Sequence, residues 1–429
     1  MPTPSSSPMR PMSSSTIQTD PGAARPVSVV VVSRGRPLWL RRCLLSLSQQ
    51  DDRNFELVVV ADAPGLVVAR TLPFARHVKF LANDGVNLSA ARNAGIAAAA
   101  GAVVAFIDDD AAAEPTWLSR LVAPIRAGRA EAATGFTRGR NGISLQWGAA
   151  RVDMSGADRP LPLGEGEGVF APTADGAVKL HGTNMAISRK SLRALGGFDP
   201  AYRFYLEDAD LSLRLAMAGA RVAVVPGAQV QHGFAPSARR QADRAPRDLR
   251  EIGASEAVFL RRHGARETRG IVQDAREAAQ RRRLLAWLQR GGLDPMDLRR
   301  LMAGYRAGWQ EGLSRRLAPL APLEDDPPAF QPMPGIWGPA VHLSGRLWHR
   351  RRLLKEARAR AARGERVSLL LISRSTLWHR ERFDDSGVWI QSGGLWGRSD
   401  RTDPLVALQR FGTRARRERA RIADVRGLG

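Results

Sequence analysis

Short apolar runs alternate with amphipathic stretches along the first quarter of the chain. Residues 27–32 (VSVVVV), 55–60 (FELVVV) and 102–107 (AVVAFI) are continuous apolar runs, typical of strands that are buried on both faces. Helical spacing of apolar residues begins at Pro37 and recurs over residues 89–100. Strands and helices that alternate at these lengths predict an α/β fold with a Rossmann-like, mostly parallel sheet.

The amino-acid composition changes several times along the chain after this region. A stretch rich in Gly, Asp and Pro over residues 153–177 predicts a loop or small hairpin above a site. We expect five regions: a flexible Ser/Pro-rich leader over 1–24, the α/β domain over 25–236, a helical extension over 237–316, a Pro-rich linker over 317–339, and a basic C-terminal region over 340–429. The last region is expected to be a small α+β segment with helices over 340–364 and 404–425 and strands over 365–398.

Composition and charge narrow the class of protein. The 429 residues are 44% hydrophobic and 25% charged, which fits a folded chain rather than a disordered one. The net charge is +23, of which +16 lies in residues 241–429, and such a field attracts nucleic acid, anionic lipid or an acidic glycan.

Cysteine usage and hydropathy bear on the compartment. Cys43 is the one cysteine of the sequence, so no intrachain disulfide can form and a reducing compartment is favoured. The longest apolar run, residues 95–107, is shorter than the roughly 20 residues that span a bilayer, and the N-terminus lacks an apolar signal core. We therefore expect a cytoplasmic protein.

Polar residues follow three of the predicted strands, where the carboxyl ends of parallel strands bind ligands. They are Ser33-Arg34, Asp62 and the triple Asp108–Asp110. Three adjacent carboxylates repel one another unless a cation neutralises them, and oxygen ligands suit Mg²⁺ or Mn²⁺. The alternative is a solvated acidic loop or a helix cap, but the position after a buried strand favours the metal.

A second acidic group begins an amphipathic helix in residues 202–215 (YRFYLEDADLSLRL). Glu207, Asp208 and Asp210 lie in its first turn, where acids also stabilise the helix dipole without any catalytic role. His232, taken alone, is more often an ordinary histidine than a metal ligand.

These acids and His232 occur in order among longer recognisable segments: ARNxG over 91–95, the DxD-type cluster at 108–110, GGFD over 196–199 and the ED-containing helix. In this respect residues 27–234 resemble the family 2 glycosyltransferases, which have the nucleotide-diphospho-sugar transferase fold called GT-A. Two positions depart from the usual family pattern: Arg34-Gly35 stands where many members have Tyr-Asn, and Ala61-Asp62 where many have Asp-Asp.

The resemblance implies an inverting, metal-dependent glycosyltransferase that moves a sugar from a nucleotide-diphosphate sugar to an acceptor hydroxyl. Asp208 matches the general base, and Glu207 lies beside it near the acceptor. Asp110 and His232 match the ligands of Mn²⁺ or Mg²⁺. The positions that match nucleotide-sugar contacts are Ser33, Arg34, Asp62, Arg92 and Asp108. Asp62 matches the acid that accepts from uracil N3–H, so a UDP or dTDP donor is favoured.

The expected acceptor is a glycan or a lipid-linked glycan, in the synthesis of a cell-surface polysaccharide or glycolipid. A nucleotidyltransferase would be expected to carry a Gly-rich phosphate loop after strand one, and residues 33–36 (SRGR) contain only one glycine, which is too few for such a loop. A basic scaffold or nucleic-acid-binding protein on a non-catalytic transferase-like domain is the alternative function. The intact site acids argue against decay, and the sequence has no zinc-finger spacing, RNA-recognition signature or convincing helix-turn-helix, so nucleic acid is not expected.

The tail combines its positive charge with seven of the chain's ten tryptophans. Basic residues next to Trp and Leu, as in 281–288 and 347–352, suit the face of an anionic bilayer, which predicts peripheral attachment to the inner face of the cell membrane. The alternative is that these tryptophans fill the core of a helical domain while the arginines solvate its surface.

Overall fold

A central mixed sheet organises the first half of the chain. The computed structural model describes residues 25–163, 166–174, 176–335 and 337–428, so the leader predicted over 1–24 lies outside the described residues. The first four strands run parallel, and the apolar runs of β1, β2 and β4 are buried on both faces, as the sequence predicts, whereas β3 is only partly buried. The elements are β1 (Val27–Ser33), α1 (Pro37–Ser48), β2 (Phe55–Ala61), α2 (Ala63–Ala69), β3 (Val78–Ala82), α3 (Leu88–Ala98) and β4 (Val103–Asp108).

The second half of the sheet is mixed in direction. Its elements are β5 (Ala111–Ala113), α4 (Trp117–Arg126), β6 (Ala132–Arg138), β7 (Leu145–Trp147), β8 (Ala150–Val152), β9 (Asp158–Pro160), β10 (Gly168–Phe170), β11 (Ala177–Val178), β12 (Asn184–Ser188), α5 (Arg189–Ala194), α6 (Glu207–Met217) and β13 (Val222–His232). The strand order is β10-β13-β6-β12-β4-β1-β2-β3, with β5 paired to β13 and β7 to β6. The stretch 153–177, expected to be a loop or hairpin, contributes short strands, and β11, β8 and β9 form a small separate sheet.

Apolar layers cover both faces of this sheet. Helices α1, α2 and α4 pack on one face, and α3, α5 and α6 pack on the other. Trp117 at the start of α4 is fully buried and donates through Nε1 to Asn184 Oδ1 at 2.8 Å. Buried aromatic area of this kind is a large contribution to core stability, and here it also fixes the start of β12.

Three helices follow the sheet: α7 (Arg250–Arg262), α8 (Arg269–Gln289) and α9 (Pro295–Ser314). Tyr305 and Trp309 of α9 are buried against α7, whereas Leu284 is the one fully buried residue of α8. The described residues between α9 and residue 340 form no helix or strand, yet they are hydrogen-bonded to the sheet domain. Leu323 donates its amide to the Arg193 carbonyl at 3.0 Å, and Met333 donates to the Phe55 carbonyl at 2.8 Å. The predicted division into domains stays a prediction.

The last part of the chain forms a second, four-stranded sheet. Its elements are β14 (Ala340–Arg346), α10 (Arg350–Ala362), β15 (Arg366–Ser373), β16 (Arg380–Phe383), β17 (Val388–Gly394) and α11 (Phe411–Arg426). The order is β14-β15-β17-β16, with β14, β15 and β17 parallel. Residues 340–346, predicted to begin a helix, form an edge strand instead, since the parallel neighbour β15 supplies partners that a local pattern does not reveal.

The α/β fold class predicted from the sequence is confirmed, with a basic helical region and a small α+β segment after the first domain. The central sheet is mixed rather than mostly parallel, because β5, β7, β10 and β12 pair antiparallel with their neighbours. Across the described ranges, no helix is both long enough and apolar enough to cross a bilayer. Among the seven tail tryptophans, Trp348 and Trp378 are more than half exposed. Trp309 and Trp389 are buried in hydrophobic cores. The other three are partly buried and pack against hydrophobic cores: Trp287, Trp337 and Trp396. Core filling therefore accounts for most of the aromatic content.

Candidate functional site

The carboxyl ends of β1, β2 and β4 bring the predicted polar residues to one edge of the sheet. Val32 pairs with Asp108, and Ser33 pairs with Ala61, the residue before Asp62. Because parallel strands in register end at the same level, residues that are 75 positions apart in sequence become neighbours.

A short antiparallel ladder brings Asp110 to His232. The strand β5 starts just after Asp110 and pairs with the end of β13, where His232 lies opposite Ala111. Gly233 donates its amide to the Asp110 carbonyl at 2.7 Å, and Asp110 Oδ1 lies 3.0 Å from His232 Nε2. Both side chains are buried.

Asp108, Asp110 and His232 form a group that can hold a metal ion. One ligand atom from each lies within 4.8 Å of the others. The sequence assigned Asp108 to the sugar or ribose, whereas the geometry also brings it to the metal position. Two carboxylates and an imidazole fit a divalent cation with mixed oxygen and nitrogen ligands.

The middle acid of the cluster faces away from this group. Asp109 Oδ2 accepts from Ser33 Oγ at 2.7 Å, and its Oδ1 accepts from Arg36 Nη1 at 3.0 Å. Burial raises the pKa of Asp109 to about 7, in spite of Arg36, and the neighbouring Asp110 charge adds to the rise. Asp109 thus supports the nucleotide side of the site.

Asp110 is held ionised by its surroundings. Burial alone would raise the pKa of its carboxyl, but His232, Arg36 and the amide of Ala235 hold the pKa well below its usual value. Arg36 Nη1 lies 3.6 Å from Asp110, and Arg240 Nη2 lies 3.9 Å away. An ionised carboxylate at this position is the form that binds a cation.

The turn before β12 joins the acid cluster to the predicted general base. Thr183 donates its hydroxyl to Asp108 Oδ2, and the amide of Gly182 donates to Asp208 Oδ2 at 3.0 Å. Consecutive residues therefore contact the two acidic groups that the sequence separates by 100 positions. His181, the residue before, stacks on Trp147 with ring centroids 5.6 Å apart.

Arg92 lies behind these groups and bridges two acids. Its Nη1 donates to Glu207 Oε1 at 2.8 Å, and its Nη2 lies 3.4 Å from Asp108 Oδ1. Burial raises the pKa of Glu207, although Arg92 opposes the rise. Glu207 Oε2 is buried and has no hydrogen-bond partner within the described part of the chain, so it is available to a ligand hydroxyl.

Three of the five residues predicted to contact the nucleotide-sugar line one cavity of about 410 Å³, whereas Arg92 and Asp108 do not line it. Ser33, Arg34 and Asp62 contribute to its wall, and the segment 236–239 after β13 closes one side. Asp62 caps α2 through Gly65 N at 3.1 Å and also accepts from Gly35 N at 2.6 Å. Gly35 has φ +69°, a conformation that side chains rarely adopt, so a glycine suits this turn over the cavity.

Sequence reasoning missed several residues of the site. Arg36 follows β1 in the sequence, but a single arginine in a turn does not by itself indicate a functional role. Thr183 and Gly182 lie in a segment that the resemblance includes, HGTN over 181–184, without a role having been assigned to them. Arg240 comes from the region after β13, where no local pattern indicates a return to the acid cluster.

Comparison with known proteins finds relatives of the first half of the chain. The model of the family described as "Glycosyl transferase family 2" matches residues 28–196. The pre-mycofactocin glycosyltransferase of Mycobacterium tuberculosis is 31% identical over 216 residues, which cover 48% of this chain and 43% of that protein. Glycosyltransferase GlyA of Streptococcus pneumoniae serotype 4 is 30% identical over 113 residues, 25% of this chain and 16% of its own length. The chain thus spans less than half of each of these two relatives.

Among solved structures, GalNAc-T7 with UDP, GalNAc and Mn²⁺ is similar at a TM-score of 0.42 and 20% identity, over 56% of this chain and 48% of that one. The predicted family is confirmed by the family match, and the sheet agrees with the GT-A fold that the resemblance implied. Residues 28–196, which carry the acid cluster, are therefore similar to glycosyl transferase family 2, and the matched part is less than half of the chain.

Proposed function

We propose that the chain is an inverting glycosyltransferase that moves a sugar from a nucleoside-diphosphate sugar to an acceptor hydroxyl. The observation that carries the proposal is the linkage through Gly182 and Thr183, which brings Asp208 and the Asp108–Asp110 cluster to one site. A base and a cation-binding group on the two sides of a reacting sugar are what a single displacement requires.

The donor is proposed to be a UDP- or dTDP-sugar. Asp62 lies in the wall of the nucleotide cavity, and a carboxylate accepts from the N3–H of uracil or thymine, whereas cytosine lacks that proton. Direct comparison of UDP, dTDP and CDP affinity tests this assignment. Tighter binding of CDP than of UDP would contradict it.

Asp110, His232 and Asp108 would hold the metal, and Mn²⁺ is proposed over Mg²⁺. Mg²⁺ prefers an octahedron of oxygen ligands, and an imidazole nitrogen fits that preference poorly. When bound, such a cation offsets the negative charge that develops on the departing nucleoside diphosphate.

Asp208 is proposed as the general base. Its carboxylate is partly exposed, and the Gly182 amide orients it at 3.0 Å. It takes the acceptor hydroxyl proton as that oxygen bonds to the anomeric carbon, while the bond from this carbon to the diphosphate oxygen breaks. Glu207, half-satisfied by Arg92, is proposed to bind an acceptor or donor hydroxyl.

The acceptor is proposed to be a glycan or lipid-linked glycan of a cell-surface polymer or glycolipid, reached from the cytoplasmic face of the membrane. Exposed Trp348 lies within cation–π distance of Arg346 and Arg374, which suits attachment to an anionic bilayer. Sedimentation with anionic but not neutral vesicles, reversed by high salt, tests the attachment.

One assay separates this function from a non-catalytic scaffold. The protein is incubated with UDP-, dTDP- and GDP-sugars and Mn²⁺, and released nucleoside diphosphate is measured. Asp208→Asn keeps the shape of the side chain and removes the base, so donor binding should persist while turnover falls by about 10²–10⁴-fold. Near-normal turnover of this variant would move the base elsewhere, and a chain that neither binds nor turns over any donor would be the scaffold.

A further inference from the structure

An open groove of about 750 Å³ lies where the start of β7 and the segment after β13 face the C-terminal sheet. Gln146 lies in its wall, and Gln146 Oε1 is 3.1 Å from His232 Nδ1. A smaller cavity of about 310 Å³, which reaches Asp110 and His232, shares Arg140 and Phe234 with the groove. The two cavities adjoin, so a ligand in the groove can extend to the site of transfer.

The groove is built from three separate parts of the chain. Arg140 comes from the turn before β7, and Leu145 is the first residue of β7. The segment after β13 supplies Phe234 and Arg244, and the C-terminal region supplies Trp378 and Arg380 at the start of β16. Phe234 lies against His232, with ring centroids 4.5 Å apart. The C-terminal region thereby completes a cavity that the family 2 domain leaves open.

The groove carries positive charge without a counterion. Arg140, Arg244 and Arg380 line it, and none of them pairs with a carboxylate among the residues that the structure describes. Arg140 Nη2 donates instead to the carbonyl of Ala242 at 2.8 Å. Burial lowers the pKa of Arg244, and the charges of neighbouring arginines, Arg140 among them, lower it further. An uncompensated field of this kind favours a bound anion.

Two of the four described non-glycine residues with positive φ lie at the groove. Phe234 has φ +54° and Arg244 has φ +84°, and both line the groove. A non-glycine residue in this region is disfavoured, and such strain clusters at functional sites. The strained pair directs Arg244 across the Phe234 ring, with its guanidinium carbon 4.1 Å from the ring centroid.

Apolar surface accompanies the charge. Leu145 is 47% exposed and Trp378 is 53% exposed, and both line the groove. An exposed tryptophan next to arginines suits a sugar ring or an alkyl chain that carries an anion.

We propose that this groove binds the acceptor, and that Arg140, Arg244 and Arg380 hold a phosphate or carboxylate on it while Leu145 and Trp378 contact its apolar face. The inference rests on the proposed transferase function and adds the acceptor's chemical class: an anionic molecule rather than a neutral oligosaccharide. Arginine forks match both anions, so the shared chemistry is an oxyanion carried on an apolar or sugar body.

The test measures acceptor-side binding without the donor. The full chain is titrated by calorimetry with decyl phosphate below its micelle concentration and with digalacturonic acid, and with decanol and maltose as neutral counterparts. Saturable binding of an anion, with at least tenfold weaker binding of its neutral counterpart, is expected. A preference for decyl phosphate indicates a lipid phosphate, and a preference for the uronate indicates an acidic glycan.

Arg380→Gln is the decisive variant, because Arg380 is exposed and its loss leaves no buried partner behind. Affinity for the anion should fall about 5- to 10-fold, the value of one charge-assisted contact. Arg299→Gln, an exposed arginine on α9, is the matched control and should bind as the unaltered chain does.

Equal anion affinity in the two variants, or no anion binding by a chain that binds UDP with Mn²⁺, overturns the acceptor inference alone. Failure of both UDP and dTDP to bind the unaltered chain overturns the proposed function, and the anion titration, which uses no donor, still decides whether the groove binds anions.

Discussion

Arg426, near the end of α11, is expected to be the most damaging single arginine to remove. It is 1% exposed and its guanidinium is shared between two buried carboxylates. Its Nε and Nη2 donate to Glu114 at 2.9 and 3.1 Å, and Nη2 also donates to Glu381 at 2.6 Å. The guanidinium carbon lies 4.6 Å from the Trp389 ring centroid. Arg426→Met keeps most of the side-chain volume and removes the charge.

The expected loss follows from what the arginine leaves behind. Removing one partner of a buried ion pair leaves an uncompensated charge and costs about 3–5 kcal/mol. Here two carboxylates lose their cation, so the destabilisation should reach the upper end of that range. Burial already raises the pKa of Glu114 in spite of Arg426, so the pKa of this carboxyl should rise further when the arginine is removed.

The sign of the pH dependence follows from that rise. In the variant, the folded-state pKa values of Glu114 and Glu381 should lie above their unfolded value of about 4.3. The destabilisation should therefore be absent below that value and should grow as the pH rises through the folded pKa values.

Urea unfolding followed by tryptophan fluorescence measures the effect. Arg120→Met is the matched control. Arg120 pairs at 2.6 Å with Asp424, which lies on α11 as Arg426 does, but the Asp424 side chain is largely exposed. A surface pair of this kind contributes about 0–1 kcal/mol. Adding Glu114→Gln and Glu381→Gln to Arg426→Met should recover most of the loss, because no buried charge then remains. A destabilisation of less than about 1 kcal/mol, or one equal to that of Arg120→Met, would refute the reasoning.

Three further outcomes are expected. Asp110→Ala removes a carboxylate of the metal-binding group, so Mn²⁺-dependent UDP affinity should fall at least tenfold in calorimetry, and unchanged affinity would remove Asp110 from the metal site. Thr183→Val removes the hydroxyl that donates a hydrogen bond to Asp108, and a hydrogen bond to a charged group contributes about 1.5–3 kcal/mol. The affinity for UDP should fall about tenfold or more, and the thermal midpoint should not change. Equal UDP affinity in the variant would contradict the link between Thr183 and the acid cluster. Asp210 is buried, which alone would raise its pKa, but its partners, Arg214 among them, lower it. Asp210→Asn should therefore lose stability above the unfolded pKa of about 3.9, with the difference shrinking as the pH falls through the folded value, and a pH-independent difference in urea unfolding would argue against the ion pair.

Local pattern was enough to predict the sheet and the acids at its edge. Continuous apolar runs such as 27–32 are buried on both faces, and register then dictates that Ser33, Asp62 and Asp108 meet. The bond between Asp110 and His232 was reached through the family resemblance, since a lone histidine 122 residues away has no local signal.

The residues that the sequence did not reveal share a physical cause. Thr183 and Gly182 act through a turn whose conformation depends on β12 being inserted between β4 and β6, and turn residues of this kind carry no periodicity. The predicted helix at 340–346 failed for a related reason, because an edge strand is decided by the neighbour that pairs with it rather than by its own sequence.

The tail shows most clearly how its composition could be misread. The positive charge of the tail suggested binding to a polyanion or a membrane, yet Arg426 forms a buried ion pair with Glu114. Glu114 Oε1 also accepts a hydrogen bond at 3.2 Å from Gln231, the residue before His232. A cation at the far end of the chain thus braces the strand that carries the histidine of the metal-binding group. Arg426 and Arg380 each add one unit to the net charge, although Arg426 is buried in an ion pair and Arg380 faces an open groove with no counterion. The two roles differ only in burial and in partners, so the field that matters for a ligand in the groove is that of the unpaired arginines that line it, Arg140, Arg244 and Arg380.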